Sequence, residues 1–243
     1  MFTRIFQAFL VAVCVSGCVD LAGEAQSADV NTRVLSAVQS MPTGGGYDGS
    51  DATKNLLNGS CAWSGGLIRV DAGIAKPSFC SGATYLVLLK ALGRGDAALL
   101  PEIDQKDGHG VFGRWNSNGP GAAKLVADLG AGINFTSWDE AIPGDFLKIW
   151  WTDKIGGRER GHLVVYLGHD TERVRFWSSN QPGGYGTKSV ERGKCRRVLF
   201  TRITTPSKFS GARRLSESDP WLEKMLREDF RWEEVVEKCR VQE

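Results

Sequence analysis

One cysteine stands directly in front of a long apolar stretch of this chain. The segment PSFCSGATYLVLLKAL, residues 77–92, contains Cys80, and from Ala83 onwards only a threonine and a lysine interrupt its hydrophobic residues. A helix of this composition is apolar nearly all round, so we expect it to be buried. Pro77 and Ser78 suit its start, because proline fits a first turn and serine caps free N–H groups.

The position of Cys80 at that helix start favours a reactive thiolate. Unpaired N–H groups and the positive end of the helix dipole stabilise an anion there. Such a setting lowers a cysteine pKa from about 8.5 to roughly 3.5–7.5. The alternative is that Cys80 is a small buried hydrophobe, which is a common fate of a free cysteine.

A nucleophilic cysteine needs a base, and a third polar group must hold that base in place. The chain has three histidines. We expect His109, in a glycine-rich loop, and His169, at a hairpin tip, to be exposed to solvent. His162 begins the apolar strand HLVVYLG, where a polar ring needs a partner. His162 is therefore the candidate base, and a structural histidine bonded to the backbone is the alternative.

The strand RVRFWSSN, residues 173–180, offers two candidates for the third group. A five-residue loop between the strands places Asn180 directly opposite His162, whereas a three-residue loop places Ser178 there with the asparagine diagonal to it. The amide oxygen of Asn180 can accept the second imidazole N–H, as in Cys-His-Asn sites. We predict Cys80, His162 and Asn180 as the catalytic set. In the alternatives, Ser178 takes the third role, or Asn180 only begins the glycine turn.

The elements that must position these residues are helices followed by an antiparallel sheet. Strands joined by short loops are predicted over residues 146–151, 162–168, 173–180 and 195–203. Helices are predicted over 31–41, near 51–57, over 77–92 and over 122–130, and the remainder of 42–76 and 93–136 is predicted mainly as glycine-rich loop. The prediction is an α+β domain in which the buried, cysteine-bearing helix packs on the sheet.

Three blocks in this order, FCSGATYLVLL, IPGDFLKIWW and GHLVVYLG, resemble the signature blocks of the NlpC-type papain-like cysteine peptidases. The resemblance extends over about residues 77–180. It implies a papain-like fold, for which we take residues 31–210 as the catalytic domain, with a docked C-terminal helix in 211–243. It also implies a hydrolase of bacterial cell-wall peptides, with Cys80 as nucleophile and His162 as base.

The chain departs from that family in two respects. Phe79 precedes the cysteine where the family usually has Asp. The third polar residue, often a histidine in the family, has no histidine counterpart in this chain. Ser178 and Asn180 stand where the related CHAP amidases have a Glu-x-Asn pattern. The identity of the third group and of the cleaved bond therefore stays open at this point.

The implied chemistry is acyl transfer through a thioester. The Cys80 thiolate attacks an amide carbonyl, His162 protonates the leaving amine, and water then releases the acyl group. The Cys80 backbone N–H is a natural oxyanion donor, and no cofactor is implied. Two alternatives use the same scaffold: an acyltransferase that passes the acyl group to an amine or alcohol, and a non-catalytic lipoprotein that binds cell-wall fragments.

The N-terminus resembles a bacterial lipoprotein signal. Residues 1–17 combine one positive charge with the short apolar run AFLVAVCVSG, and VSGC resembles a lipobox that ends at Cys18. We expect cleavage before Cys18, lipidation of that cysteine, and a tether over 18–30. Cleavage after Ala25, which gives a soluble periplasmic protein, is the alternative. In either case the protein is predicted to be exported, as a periplasmic or cell-envelope protein.

Charge and cysteine content limit the remaining classes. The formal net charge of +2 is too small to argue for nucleic acid. The expected partners are peptidoglycan peptides and, through lipidated Cys18, a membrane. If Cys80 stays a free thiol, Cys61, Cys195 and Cys239 can form at most one disulfide, and the pairing is open. No spacing of Cys and His indicates a zinc site.

The lipobox generates a first prediction. Cys18→Ala removes the acylated residue, so the protein should leave the membrane fraction when cells expressing it are fractionated. Cys14→Ala is the matched control, because that cysteine is cleaved off with the signal and its loss should leave the protein on membranes. Membrane association that survives Cys18→Ala would reject the lipobox.

Overall fold

The computed structural model describes residues 21–64, 67–93 and 105–242. The predicted signal peptide, residues 1–17, and the predicted lipidation site Cys18 lie outside these ranges. Within them, no helix is both long enough and apolar enough to cross a membrane.

The helices of the described residues mostly precede the sheet in the chain. They are α1 (Leu21–Gln39), α2 (Asp51–Gly59), α3 (Cys80–Gly93), α4 (Gln105–Trp115), α5 (Gly121–Leu129), α6 (Pro220–Lys224) and α7 (Trp232–Cys239). Two 3-10 helices cover Arg192–Lys194 and Pro206–Arg214. Helices α2, α3 and α5 confirm three of the helices predicted from the sequence.

The strands form one large sheet and a separate hairpin. They are β1 (Gly44–Gly45), β2 (Cys61–Ser64), β3 (Leu67–Val70), β4 (Gly132–Phe135), β5 (Phe146–Trp150), β6 (His162–His169), β7 (Arg173–Asn180), β8 (Gly184–Glu191), β9 (Arg197–Ile203) and β10 (Val241–Gln242). The sheet has the order β1-β8-β7-β6-β5-β9-β4-β10, and β2 pairs with β3. Only the β4–β10 pair of this sheet is parallel, so the α+β class and the antiparallel sheet are confirmed.

Helix α3 is the buried helix that its composition predicts. From Gly82 to Leu92 every residue is buried except the half-buried Lys90. The helix contacts α1 and β3 as well as β6 and β7 of the sheet, so it has protein on several sides and needs no polar face. This packing fixes Cys80, the first residue of α3, against the strands that carry the other predicted site residues.

The N-terminal half contains more regular structure than the sequence indicates. Helix α1 begins at Leu21, so most of the stretch 18–30, predicted as a tether, is helical, and the helix predicted over 31–41 is longer. Three alanines between Ala22 and Ala28 favour this extension through their high helix propensity. Strands β2 and β3 occupy part of the predicted loop, and β8 was not predicted because its residues lack a regular apolar alternation.

Helix α4 forms despite its glycines. His109 therefore lies on a helix rather than in the predicted glycine loop, and its side chain is exposed as expected. The glycines allow close packing of α4 on the segment that follows the sheet. A Cβ at Gly110 would lie 2.7 Å from the Ala212 carbonyl oxygen, and one at Gly113 would clash with the Glu217 carbonyl oxygen.

The C-terminal segment is more than the single docked helix predicted for 211–243. It contains α6, α7 and the strand β10, which extends the main sheet beside β4. Asp219 caps α6, since its carboxylate accepts the backbone N–H groups of Trp221 and Leu222 at 2.9 and 3.1 Å. After α6 ends at Lys224, the Phe230 N–H donates a hydrogen bond to the Ile155 carbonyl at 2.7 Å.

The Gly144-Asp145 turn ahead of β5 joins three parts of the fold. Asp145 is fully buried, and its carboxylate accepts two hydrogen bonds from the Arg202 guanidinium, at 2.9 and 2.8 Å. It also accepts the Asn31 amide N–H and the Ile142 backbone N–H, each at 2.9 Å. Gly144 has a φ of +98°, and a Cβ there would lie 2.7 Å from the Asn31 carbonyl oxygen. The turn thus ties α1 and β9 to the start of β5.

Asp145→Ala is expected to lower the free energy of unfolding by about 3–5 kcal/mol, because it leaves the largely buried Arg202 cation without its anion. Urea denaturation measures the loss. Asn31→Ala removes neutral amide donors to this carboxylate and to the Pro143 carbonyl, and should cost about 2 kcal/mol. Similar losses for the two variants would show that the ion pair does not dominate this anchor.

Candidate functional site

Three chain segments bring Cys80, His162 and Asn180 together. Cys80 is the first residue of α3, His162 the first of β6, and Asn180 the last of β7. All three side chains are half-buried. As the first helical residue, Cys80 has a backbone N–H without an intrahelical acceptor, and its sulfur lies at the positive end of the helix dipole.

Antiparallel pairing of β6 with β7 places His162 opposite Asn180. Val165 pairs with Trp177, and the same register continued by three residues reaches the two site residues. The His162 Nε2 and Asn180 Oδ1 atoms are 3.2 Å apart, within hydrogen-bond distance. The structure therefore brings together the pair that the sequence predicted.

The hairpin reaches this register by a different route from the one predicted. The paired residues His169 and Val174 enclose a four-residue loop, one residue shorter than the expected loop. A β-bulge between Tyr166 and Gly168 adds one residue to β6 and restores the register. Gly168 has a φ of +124°, which glycine adopts without steric cost.

Two backbone carbonyls orient the Asn180 amide. Its Nδ2 group donates to the Ser178 carbonyl at 3.1 Å and to the Gly186 carbonyl at 2.8 Å. With both amide hydrogens engaged, Oδ1 faces His162 as an acceptor. The imidazole Nε2–H then donates to Asn180, so the ring presents Nδ1 to Cys80.

Ser178, the other candidate for the third group, has a different role. Its fully buried hydroxyl donates to the Leu163 carbonyl at 2.9 Å and lies 3.5 Å from the Cys80 carbonyl oxygen. Ser178 therefore joins the start of α3 to β6. Of the two candidates, Asn180 is the one whose side chain is hydrogen-bonded to the His162 ring.

Gly161 allows the tight entry of the chain into β6. Its φ is +68°, and a Cβ there would lie 2.7 Å from both the Ile149 carbonyl oxygen and the Lys148 Cε. Any side chain at this position would therefore displace Lys148 or β5, and with them the neighbouring His162.

The surroundings of Cys80 favour its thiolate. Burial raises the pKa of the thiol, but the hydrogen bond with His162 and the positive charges of His162 and Lys148 outweigh burial and lower the pKa to about 6. The Leu163 backbone contributes a further hydrogen bond to the thiolate. Cys80 is therefore mostly ionised at neutral pH.

Sequence reasoning missed two residues beside the thiol. Lys148, on β5, is 7% exposed. Burial lowers the pKa of its ammonium group to about 8, although the negative charges of Cys80 and Glu159 act to raise it. The Tyr47 hydroxyl lies 4.0 Å from Cys80 Sγ, and burial, followed by the Cys80 charge, raises its pKa. Lys148 had a signal, as the one charged residue in FLKIWW, whereas Tyr47 stands in a glycine-rich loop without one.

Two clefts meet at the site. The His162 cleft, of about 330 Å³, is lined by His162, Asn180, Gln181, Trp151, Phe176 and Lys188 among others. The Cys80 cleft, of about 290 Å³, is lined by Cys80, Lys148, Arg160, Asn116, Asn118 and Leu163 among others. Tyr47 and Gly161 line both clefts, so the two clefts adjoin at these residues, with the base on one side and the thiolate on the other; together they are called the groove.

Trp151 lines the His162 cleft, whereas the tryptophans at the ends of α4 and β5 line neither cleft. Trp151 is 38% exposed, and its ring centroid is 6.4 Å from that of His162. Trp115 and Trp150 are fully buried in the core. The aromatic wall of the groove is therefore on the His162 side.

The other histidines and thiols lie apart from this arrangement. His169 is the last residue of β6 rather than part of a hairpin tip, and it is half-buried against the Tyr166 hydroxyl, to which it is hydrogen-bonded. Cys61, Cys195 and Cys239 are free thiols, and burial raises the pKa of each. In the part of the chain that the structure describes, no cluster of His, Cys, Asp or Glu could hold a metal ion.

Comparison of the chain with protein-family models, with curated proteins and with solved structures finds no match. The chemistry of the site is therefore argued from its own geometry: a thiolate at a helix start, an imidazole beside it, and an amide oxygen that orients the imidazole. These are the groups that acyl transfer by a cysteine requires.

The rate at which iodoacetamide alkylates Cys80 should follow the thiolate fraction and reach half its maximum near pH 6. His162→Ala removes the main stabilising partner but leaves burial, Lys148 and the Leu163 backbone in place, so the midpoint should rise toward the ordinary thiol value of about 8.5. Peptide mass spectrometry separates Cys80 from the three raised-pKa thiols. A midpoint that His162→Ala leaves unchanged would contradict the pairing.

Proposed function

We propose that this protein is an exported cysteine hydrolase with a papain-like fold, which cleaves amide bonds in peptidoglycan peptides. The observation that carries the proposal is the His162–Asn180 contact of 3.2 Å beside a cysteine whose pKa is lowered to about 6. A buried structural cysteine has its pKa raised instead, as Cys61 and Cys239 do.

The acylation step uses all three residues. The Cys80 sulfur attacks the amide carbonyl, a carbon–sulfur bond forms, and the carbonyl electrons move to oxygen. The backbone N–H of Cys80 itself is the candidate hydrogen-bond donor to that oxyanion. His162 gives a proton to the amine nitrogen as the carbon–nitrogen bond breaks, and Asn180 keeps the ring in the orientation that permits this transfer.

The deacylation step returns the enzyme to its resting state. His162, now neutral, takes a proton from a water molecule that attacks the thioester carbonyl. The carbon–sulfur bond breaks, the acid product leaves, and the sulfur departs as a thiolate. The same cations that lower the Cys80 pKa make that thiolate a good leaving group.

The groove agrees with an extended peptide substrate. The two clefts lie on either side of the reacting groups, so that a chain can enter past Cys80 and leave past His162. Peptidoglycan as the source of that peptide rests on the resemblance of the three residue blocks to NlpC-type peptidases and on the predicted export. An acyltransferase on the same scaffold differs only in the acceptor, which would be an amine or alcohol in place of water.

The experiment is digestion of purified, peptide-containing peptidoglycan fragments, followed by mass spectrometry of the products. The wild-type chain should release new amino termini, and Cys80→Ala should release none. Products joined to an added amine would favour the acyltransferase. If Cys80→Ala and wild type bind the fragments equally and neither cleaves them, the protein is a binding lipoprotein instead.

Asn180→Ala should lower kcat/KM about 10- to 150-fold, because a hydrogen bond to an ionised partner contributes about 1.5–3 kcal/mol. Gln181→Ala is the matched control: Gln181 is exposed, lines the same cleft, and is not bonded to His162. It should change kcat/KM by less than about 3-fold. An equal loss in the two variants would remove the orienting role from Asn180.

A further inference from the structure

The side chains that line the Cys80 cleft carry an excess of positive charge. Lys148 and Arg160 both line it, together with Lys54 at its rim. None of the lining residues is Asp or Glu. Lys54 is paired with Asp51 at 2.8 Å, whereas neither Lys148 nor Arg160 has an ion-pair partner within 4.0 Å among the described residues.

Lys148 is the unusual member of this set. A lysine that is 7% exposed is rarely found without an anion, because burying an ammonium group costs free energy. Its Nζ lies 5.7 Å from the Trp150 ring centroid, a weak contact compared with a carboxylate. The Glu159 charge acts on Lys148, but the Glu159 carboxylate accepts the Gly161 N–H at 2.8 Å and forms no ion pair with the lysine.

In the free protein the Cys80 thiolate partly balances this charge. The balance disappears when the sulfur becomes part of a thioester, because a thioester is neutral. Lys148 then loses a neighbouring negative charge that favours its ammonium form, unless the acyl group brings a negative charge into the cleft. The buried Asn116 Oδ1, on another residue of this cleft, also has no hydrogen-bond partner. Because it is an acceptor, it fits an N–H group of the peptide and not the carboxylate.

We propose that the Cys80 cleft binds a carboxylate on the acyl part of the substrate, with Lys148 as its principal partner and Arg160 at the rim. The acyl part occupies this cleft because it becomes bonded to Cys80, whereas the amine receives its proton from His162 and leaves through the His162 cleft. The inference rests on the proposed acyl-transfer function and adds that the substrate is an acidic acyl donor.

Alkylation by iodoacetate and by iodoacetamide tests the carboxylate site directly. In both reactions the Cys80 sulfur forms a carbon–sulfur bond, the carbon–iodine bond breaks and iodide leaves. The two reagents differ in that one carries a carboxylate where the other carries a neutral amide. The ratio of their rate constants therefore cancels the thiolate fraction, which Lys148 also affects, and reports the carboxylate preference alone.

At pH 7 we expect the iodoacetate-to-iodoacetamide ratio to be higher for Cys80 than for free cysteine. Lys148→Met keeps the length of the side chain without its charge and should lower the ratio about 10-fold, as expected for the loss of a charge-assisted hydrogen bond. Arg160→Gln, at an exposed position, should lower it about 2- to 5-fold.

Lys188→Gln is the matched control, since it removes one positive charge from the His162 cleft instead. It should change the ratio by less than about 2-fold. An unchanged ratio in Lys148→Met, or an equal fall in Lys188→Gln, overturns the proposal. Because alkylation requires only the thiolate, this result does not depend on whether the protein cleaves peptidoglycan fragments, so the two proposals fail separately.

Discussion

The site depends on a compensation between burial and charge at the N-terminus of α3. Burial alone disfavours a thiolate at Cys80, yet the hydrogen bond with His162 and the nearby Lys148 charge lower its pKa to about 6. That balance requires the helix start and the β6 start to meet within hydrogen-bond distance. The apolar surface of α3 and the pairing of the central strands hold them there.

A second layer of contacts keeps the reacting groups in register without contacting a substrate. Ser178 joins Leu163 to the first turn of α3, and the Gly186 carbonyl orients the Asn180 amide. The Ser178–Leu163 and Asn180–Gly186 contacts lie within the hairpins of β6, β7 and β8, and the Ser178–Cys80 contact connects these hairpins to α3. The precision of the site therefore comes from backbone pairing, which is stiffer than the side chains it positions.

The Gly144-Asp145 pair directly before β5 has a structural role. The buried Asp145 carboxylate is hydrogen-bonded to Arg202, Asn31 and a backbone N–H, so these contacts occupy it in a structural role and not in a catalytic one. Gly144 brings the chain within contact of α1. This anchor orders β5, the strand that carries Lys148, so the structural and chemical parts of the chain are connected through one strand.

The sequence by itself determined the elements whose signals are local: the apolar helix behind Cys80, the alternating strands, and the shared face of His162 and Asn180. It could not determine the bulge next to Gly168, because a one-residue shift in pairing leaves no mark in composition. Nor could it decide the environment of Lys148, since burial and missing counter-charges are properties of neighbours distant in the chain. Both features arise only in the folded chain, and the bulge sets the strand register in which Asn180, and not Ser178, is the partner of the imidazole.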